Sequence, residues 1–149
     1  MGLKEKLQTD LTQAIRSRDE VQSGTIRMLL AAITNEEVAG KSAKVLNDAE
    51  IITVLSREAK KRREAVEAYT QAKREDLANK EKAEAAVIAQ YLPEQLSEDE
   101  IKKLIQEAIT STGAAGPSGM GLVMKQLQPK IAGKADGGLV SALVKAALA

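Results

Sequence analysis

Cysteine and histidine are both missing from this 149-residue chain, as are phenylalanine and tryptophan, and Tyr69 and Tyr91 are its whole aromatic complement. Without thiol or imidazole the common nucleophile–base couples and the usual zinc sites have no ligands to build from. Disulfides are excluded, which fits a reducing compartment. No window approaches the roughly 18 consecutive apolar residues that a bilayer span needs, and no apolar run follows the charged start at Lys4, Glu5 and Lys6. These absences lead to the expectation of a cytoplasmic protein with no membrane partner. The scarcity of rings also excludes a base-stacking platform for exposed nucleotides. Any core has to be assembled from Leu, Ile, Val, Ala and Met, which suits close-packed helices.

What is present is helical periodicity. Apolar residues recur at spacings of three and four almost throughout, and no stretch alternates as a strand would, so the fold class is all-α. Leu3, Leu7, Leu11 and Ile15 mark one face of a first helix. Asp19 caps a second, apolar around most of its circumference between Ile26 and Ile33, which makes it the expected centre of an N-terminal bundle. Gly40 to Val45 forms a loop. Asn47 or Asp48 opens a long third helix with a seam of Ile52, Leu55, Ala59, Arg62, Val66 and Tyr69. A break at Lys73 to Asp76, with Asp76 as a capping residue, leads to a fourth helix that Pro93 closes.

Beyond that proline, Ser97 and Glu100 form a capping box ahead of Ile101, Leu104, Ile105, Ala108 and Ile109. Gly113 to Gly119 is a flexible connector, Met120 to Leu127 another apolar face limited by Pro129, and Asp136 caps a terminal helix with Leu139, Val140, Leu143, Val144 and Leu148. The expected organisation is a helical bundle over residues 1–93 and a three-helix unit over residues 94–149.

Candidate chemistry is sparse. Acidic pairs such as Glu36-Glu37 and Asp99-Glu100 do not converge on one helical face, so neither a metal nor a cofactor is expected. Serine and threonine lack an activating base, and no Ser-x-x-Lys pattern occurs, so no catalytic residue is assigned. The run containing Lys60, Lys61, Arg62 and Arg63 offers a possible basic face, weighed against self-neutralisation through pairs such as Glu58 with Arg62. Arg62, placed in the seam, calls for a buried partner such as Glu36, Glu37 or Glu84.

Charge is unevenly spread in the last third: residues 94–117 carry five acids and two lysines, residues 118–149 four lysines and one acid. Lys125, Lys130 and Lys134 bracket a turn shaped by Gly133 and Asp136, with Gly121 at the previous helix start. Such a corner favours an anionic partner, although it falls short of the strongly basic footprint of a dedicated nucleic-acid binder, and no DNA partner is expected.

Five segments in order, Leu30 to Glu37, Arg57 to Glu64, Tyr91 to Ser97, Met120 to Met124 and Gly133 to Asp136, resemble the GatB/YqeY family. The same helical unit forms the tail of the aspartyl/glutamyl-tRNA amidotransferase B subunit, where it contacts tRNA. The resemblance therefore implies a non-catalytic tRNA-associated protein, with Lys125, Lys130 and Lys134 as RNA contacts and Gly121, Gly133 and Asp136 shaping them. Carbon–nitrogen ligase activity with glutamine as amido donor follows from the family name alone, and no independent activity is expected. A protein adaptor for an amidotransferase or another translation complex is the alternative. The match departs at Gly137-Gly138, where one glycine followed by a longer polar side chain is expected.

Overall fold

The computed structural model describes residues 2–149, and its contacts divide the chain between Leu92 and Pro93. Every regular element among the described residues is helical: α1 (Leu3–Arg16), α2 (Glu20–Val38), α3 (Asp48–Gln71) and α4 (Glu75–Ala89) in the first unit, α5 (Glu98–Thr112), a 3-10 turn (Pro117–Gly119), α6 (Met120–Ile131) and α7 (Gly137–Leu148) in the second.

In the first unit α2 touches all three other helices, because its apolar residues occupy several faces at once. Ile26, Leu29 and Ile33 are fully buried against Leu7, Ile51, Leu55 and Ile88. Each such side chain contributes roughly 1.5–3 kcal/mol. The α1 stripe is corrected in one place: three steps of four residues drift by about 40° each on a 3.6-residue helix. Ile15 accordingly turns outward at 49% exposure, and Ala14 takes the buried place.

Two helix ends turn on non-glycine residues, Arg18 at φ 58° and Lys73 at φ 60°. Both close with a bond spanning five residues, Asp19 N–H to the Ala14 carbonyl (2.9 Å) and Arg74 N–H to the Tyr69 carbonyl (2.8 Å). These left-handed positions cost about 1 kcal/mol or more apiece without glycine, which is why the residue types alone did not announce them. Asp19 then caps α2 and Asn47 caps α3 in a capping box with Glu50. Asp76 is no cap: Arg74 holds that position without a side-chain bond, and Asp76 pairs with it at 3.3 Å from the first turn of α4. A second unanticipated brace crosses the sequence, the Leu3 N–H donating to Asp48 Oδ1 at 3.0 Å, so α3 caps the start of α1.

The second unit packs α5, α6 and α7 around Ile101, Ile105, Val123, Leu127, Val140 and Val144. Ser97 and Glu100 complete their capping box, and Gly113 ends α5 at φ 68°. The connector is a shaped segment. Gly116 adopts φ 68°, and a Cβ on buried Gly119 would lie 2.7 Å from the Ala114 Cβ. Pro129 does not limit α6, which runs on to Ile131. A proline in the last turn removes one amide donor without forcing the few residues after it out of helical geometry. Leu139, expected inward, is 40% exposed.

Candidate nucleic-acid interface

The corner between α6 and α7 is built by local hydrogen bonding. Lys134 and Ala135 both donate to the Ile131 carbonyl, at 2.8 and 3.2 Å, and Gly133, just ahead of them, takes φ 72°. A side chain at Gly133 would strain that turn. Asp136 then accepts from the Gly138 N–H at 3.3 Å and starts α7.

The remaining corner carbonyls are claimed from a distant segment: Gln95 Nε2 donates to the Gly133 carbonyl (2.8 Å), and the Leu96 N–H to the Lys134 carbonyl (2.9 Å). The Pro93–Ser97 lead-in thus fastens the corner to the start of α5, a role its sequence did not reveal. The same tie sets Glu94 and Glu98, two residues either side of Leu96, on the strand of chain that runs beside Lys134.

The lysines of the corner are exposed, and among the described residues no acid lies within ion-pair distance of Lys125, Lys130 or Lys134. Lys130, in the last turn of α6, and Lys134 flank Gly133. Lys125 stands apart from Lys130 by about 140° around the helix axis, because five residues turn an α-helix by roughly 500°. It therefore extends the positive surface along α6 instead of joining one compact cluster. Lys145, from the last turn of α7, adds a fourth ammonium with no ion-pair partner among the described residues. Gly121 is not a corner residue. It sits in the first turn of α6, ten residues or about 15 Å from Ile131, and a Cβ there would meet nothing within 4 Å.

The first unit treats its basic run differently. Arg62 is withdrawn from any surface: its side chain is 7% exposed, with NH1 2.7 Å from Glu58, Nε 3.5 Å from Glu84 and NH2 3.6 Å from Met28 Sδ. Glu84 is thus one of its partners, whereas Glu36 and Glu37 are engaged elsewhere, with Arg57 at 3.6 Å and Lys4 at 2.7 Å. Lys61 pairs with Glu58 at 3.1 Å, and Lys60 and Arg63 are exposed on the outer side of α3. A continuous four-cation face is therefore absent.

Two polar clusters escaped the sequence. Asp10 accepts from the Tyr91 hydroxyl at 2.6 Å and from Lys6 at 2.8 Å. The Lys6 bond and then the Tyr91 bond hold the Asp10 carboxyl below its ordinary value, while burial, followed by the nearby carboxylate, pushes the Tyr91 hydroxyl well up. Glu37, buried, accepts from Lys4 and from the Leu46 N–H (3.1 Å), and the Lys4 bond lowers its pKa first. Both clusters tie α1 to the rest of the unit. Among the described residues no group of three or more acids converges as a metal site.

The chain is 33% identical over 133 residues to "Altered inheritance of mitochondria protein 41, mitochondrial" of Pyrenophora tritici-repentis, covering 87% of this chain and 71% of that one. It is 29% identical to the protein of the same name from Clavispora lusitaniae, covering 88% and 77%, and 31% identical to that from Saccharomyces cerevisiae, covering 72% and 60%. These names place the relatives in mitochondria and overturn the expectation of a cytoplasmic protein. Missing cysteine, and the lack among the described residues of a helix long and apolar enough to cross a membrane, do not distinguish one compartment from another. With the Yqey-like protein family model matching residues 4–148, nearly the whole two-unit helical chain, this protein belongs to the YqeY-like family, which is related to the C-terminal tail of the amidotransferase B subunit.

Proposed function

We propose that the second unit docks on structured RNA, tRNA foremost, through phosphate contacts from Lys125, Lys130 and Lys134 with Lys145 in support, and that the first unit is its scaffold. The observation that carries this reading is the set of ammonium groups on α6, α7 and their corner with which no acid among the described residues forms an ion pair. The family's kinship with the amidotransferase tail supports tRNA as the class of RNA. Recognition is of shape and backbone charge, since the second unit has no aromatic ring on which a base could stack.

Fluorescence anisotropy of labelled tRNA against salt tests the proposal. Three to four phosphate contacts give a log–log slope of about −2 to −4. The Lys125→Ala, Lys130→Ala, Lys134→Ala triple variant should flatten it to about −1 and weaken binding uniformly across tRNA species. A flat response in the natural protein, or an unchanged one in the variant, refutes the interface.

A second reading, an adaptor for an amidotransferase or another translation complex, is favoured by Leu122 and Leu139, 57% and 40% exposed on the first turns of α6 and α7. Leu122→Ser with Leu139→Ser should abolish co-purification with a nuclease-resistant protein partner while leaving tRNA anisotropy untouched. Loss of tRNA binding in that variant would count against a separate adaptor face.

A further inference from the structure

Helix α2 is apolar on two opposite sides, and only one of them is covered by its own bundle. Val21, Gly24, Met28, Ala31, Asn35 and Val38 follow one another at spacings of three and four, the seam of a coiled coil over two and a half heptads. Ile26 and Ile33, fully buried, lie about 170° away around the same helix. Val21, Met28 and Val38 are 48%, 45% and 59% exposed, Ala31 and Asn35 are exposed, and a Cβ built on Gly24 would meet nothing within 4 Å. A helix apolar on both sides is normally covered on both.

We infer that this stripe pairs with the same stripe of a second copy of the chain, α2 running antiparallel to α2 about a two-fold axis between Leu29 and Leu30. The stripe is complementary to itself in that register. Val21 faces Val38 of the second copy, Met28 faces its Ala31, and Gly24 faces its Asn35, so each larger side chain meets a small one or an equal. The missing side chain at Gly24 leaves the room that the Asn35 carboxamide fills, and a single polar residue at a seam position fixes register. A parallel pairing would set Gly24 on Gly24 and Met28 on Met28, leaving a void at one layer and crowding another.

Charge agrees with the antiparallel register. Glu20, at the start of α2, and Lys41, two residues beyond its end cap at Ala39, come to within about 3 Å of the same level along the axis. Both are exposed, and neither has an ion-pair partner among the described residues. The covered stripe is about 27 Å long, small for a permanent interface, so the dimer is weak and concentration-dependent.

Sedimentation of the full chain from about 1 to 500 μM should therefore show a reversible monomer–dimer equilibrium. Met28→Glu, at the centre of the stripe, should weaken it by about 30-fold or more while helicity stays unchanged, its melting being read alongside because Met28 Sδ also accepts from Arg62 NH2 at 3.6 Å. Val38→Asp, at the exposed helix end, serves the same purpose if Met28→Glu disturbs the bundle. Because the chain has no cysteine, introduced thiols report register cleanly. Gly24→Cys with Asn35→Cys in one chain should oxidise to a covalent dimer. Asn35→Cys alone should not, since the two copies of that position lie about 16 Å apart, beyond disulfide reach. A monomer at every concentration overturns the inference and leaves the stripe to a helix of another protein. Efficient cross-linking by Asn35→Cys alone overturns the antiparallel pairing.

Discussion

Removing the positive charge of Arg62 gives the sharpest test of how the first unit is held together. Its guanidinium touches Glu58 at 2.7 Å and Glu84 at 3.5 Å, and each carboxylate is 14% exposed. At an effective dielectric near 20, charges at such separations attract by roughly 4–6 kcal/mol per contact. Desolvating three ionic groups offsets most of that, so the intact cluster adds little net stability. Breaking it is a different matter. Arg62→Met keeps an apolar stem of similar length but leaves two sheltered carboxylates without a counter-charge, and Lys61, 67% exposed, screens Glu58 only weakly. The expected cost is about 3–5 kcal/mol, a large part of the roughly 5–15 kcal/mol a domain commands. Restoring neutrality with Glu58→Gln and Glu84→Gln in the same chain should recover most of it. Urea unfolding followed by the tyrosine near-ultraviolet circular dichroism measures this directly, because Tyr69 and Tyr91 both lie in the first unit and the second contributes no signal. With a slope of about 1–1.5 kcal/mol/M the midpoint falls by about 2 M or more. A loss under about 1 kcal/mol, or a triple variant no better than the single one, refutes the reasoning.

Gly119→Ala should destabilise the second unit by about 1–3 kcal/mol, since the new methyl would sit 2.7 Å from the Ala114 Cβ; Ala114→Gly in the same chain should rescue much of it in thermal melts read by far-ultraviolet circular dichroism. The two glycines assigned to the corner should behave oppositely: Gly133→Ala, at φ 72°, costs about 1 kcal/mol, while Gly121→Ala, in an open helical position, gains about 0.5–1 kcal/mol in the same melts. Asp10 titrates below its ordinary 3.8 when folded, held there by Lys6 and then Tyr91. The unfolded chain therefore takes up the proton first, and the stability this carboxylate supplies is complete above its unfolded pKa and lost as pH falls through the folded one. Asp10→Asn should remove that part of the acid limb of the tyrosine-monitored stability curve and leave its neutral region flat.

Some of this molecule is written in residue spacing. The all-helical class, the caps at Asp19, Asn47, Ser97 and Asp136, and the burial of Ile26, Leu55, Ile101 and Val123 follow from periodicity and from side-chain oxygens placed just ahead of apolar runs. These are local rules, satisfied within a turn or two of chain, so the sequence alone carries them. The family, too, is legible in five ordered segments.

Contacts distant in sequence were decided only by the tertiary structure. Nothing near Tyr91 in the chain points to Asp10, and nothing near Gln95 points to the Gly133 carbonyl, because these bonds join residues 81 and 38 positions apart. Arg18 and Lys73 adopt left-handed backbone where no glycine signals it. Periodicity placed Arg62 inward, but the sequence left three acids open as its partner, and packing chose Glu84 by bringing α4 against α3. Charge behaves likewise. Composition counts the lysines of the second unit, whereas the angular offset of Lys125 from Lys130, and the acidic lead-in held beside Lys134, arise only when helices and turns are set in space.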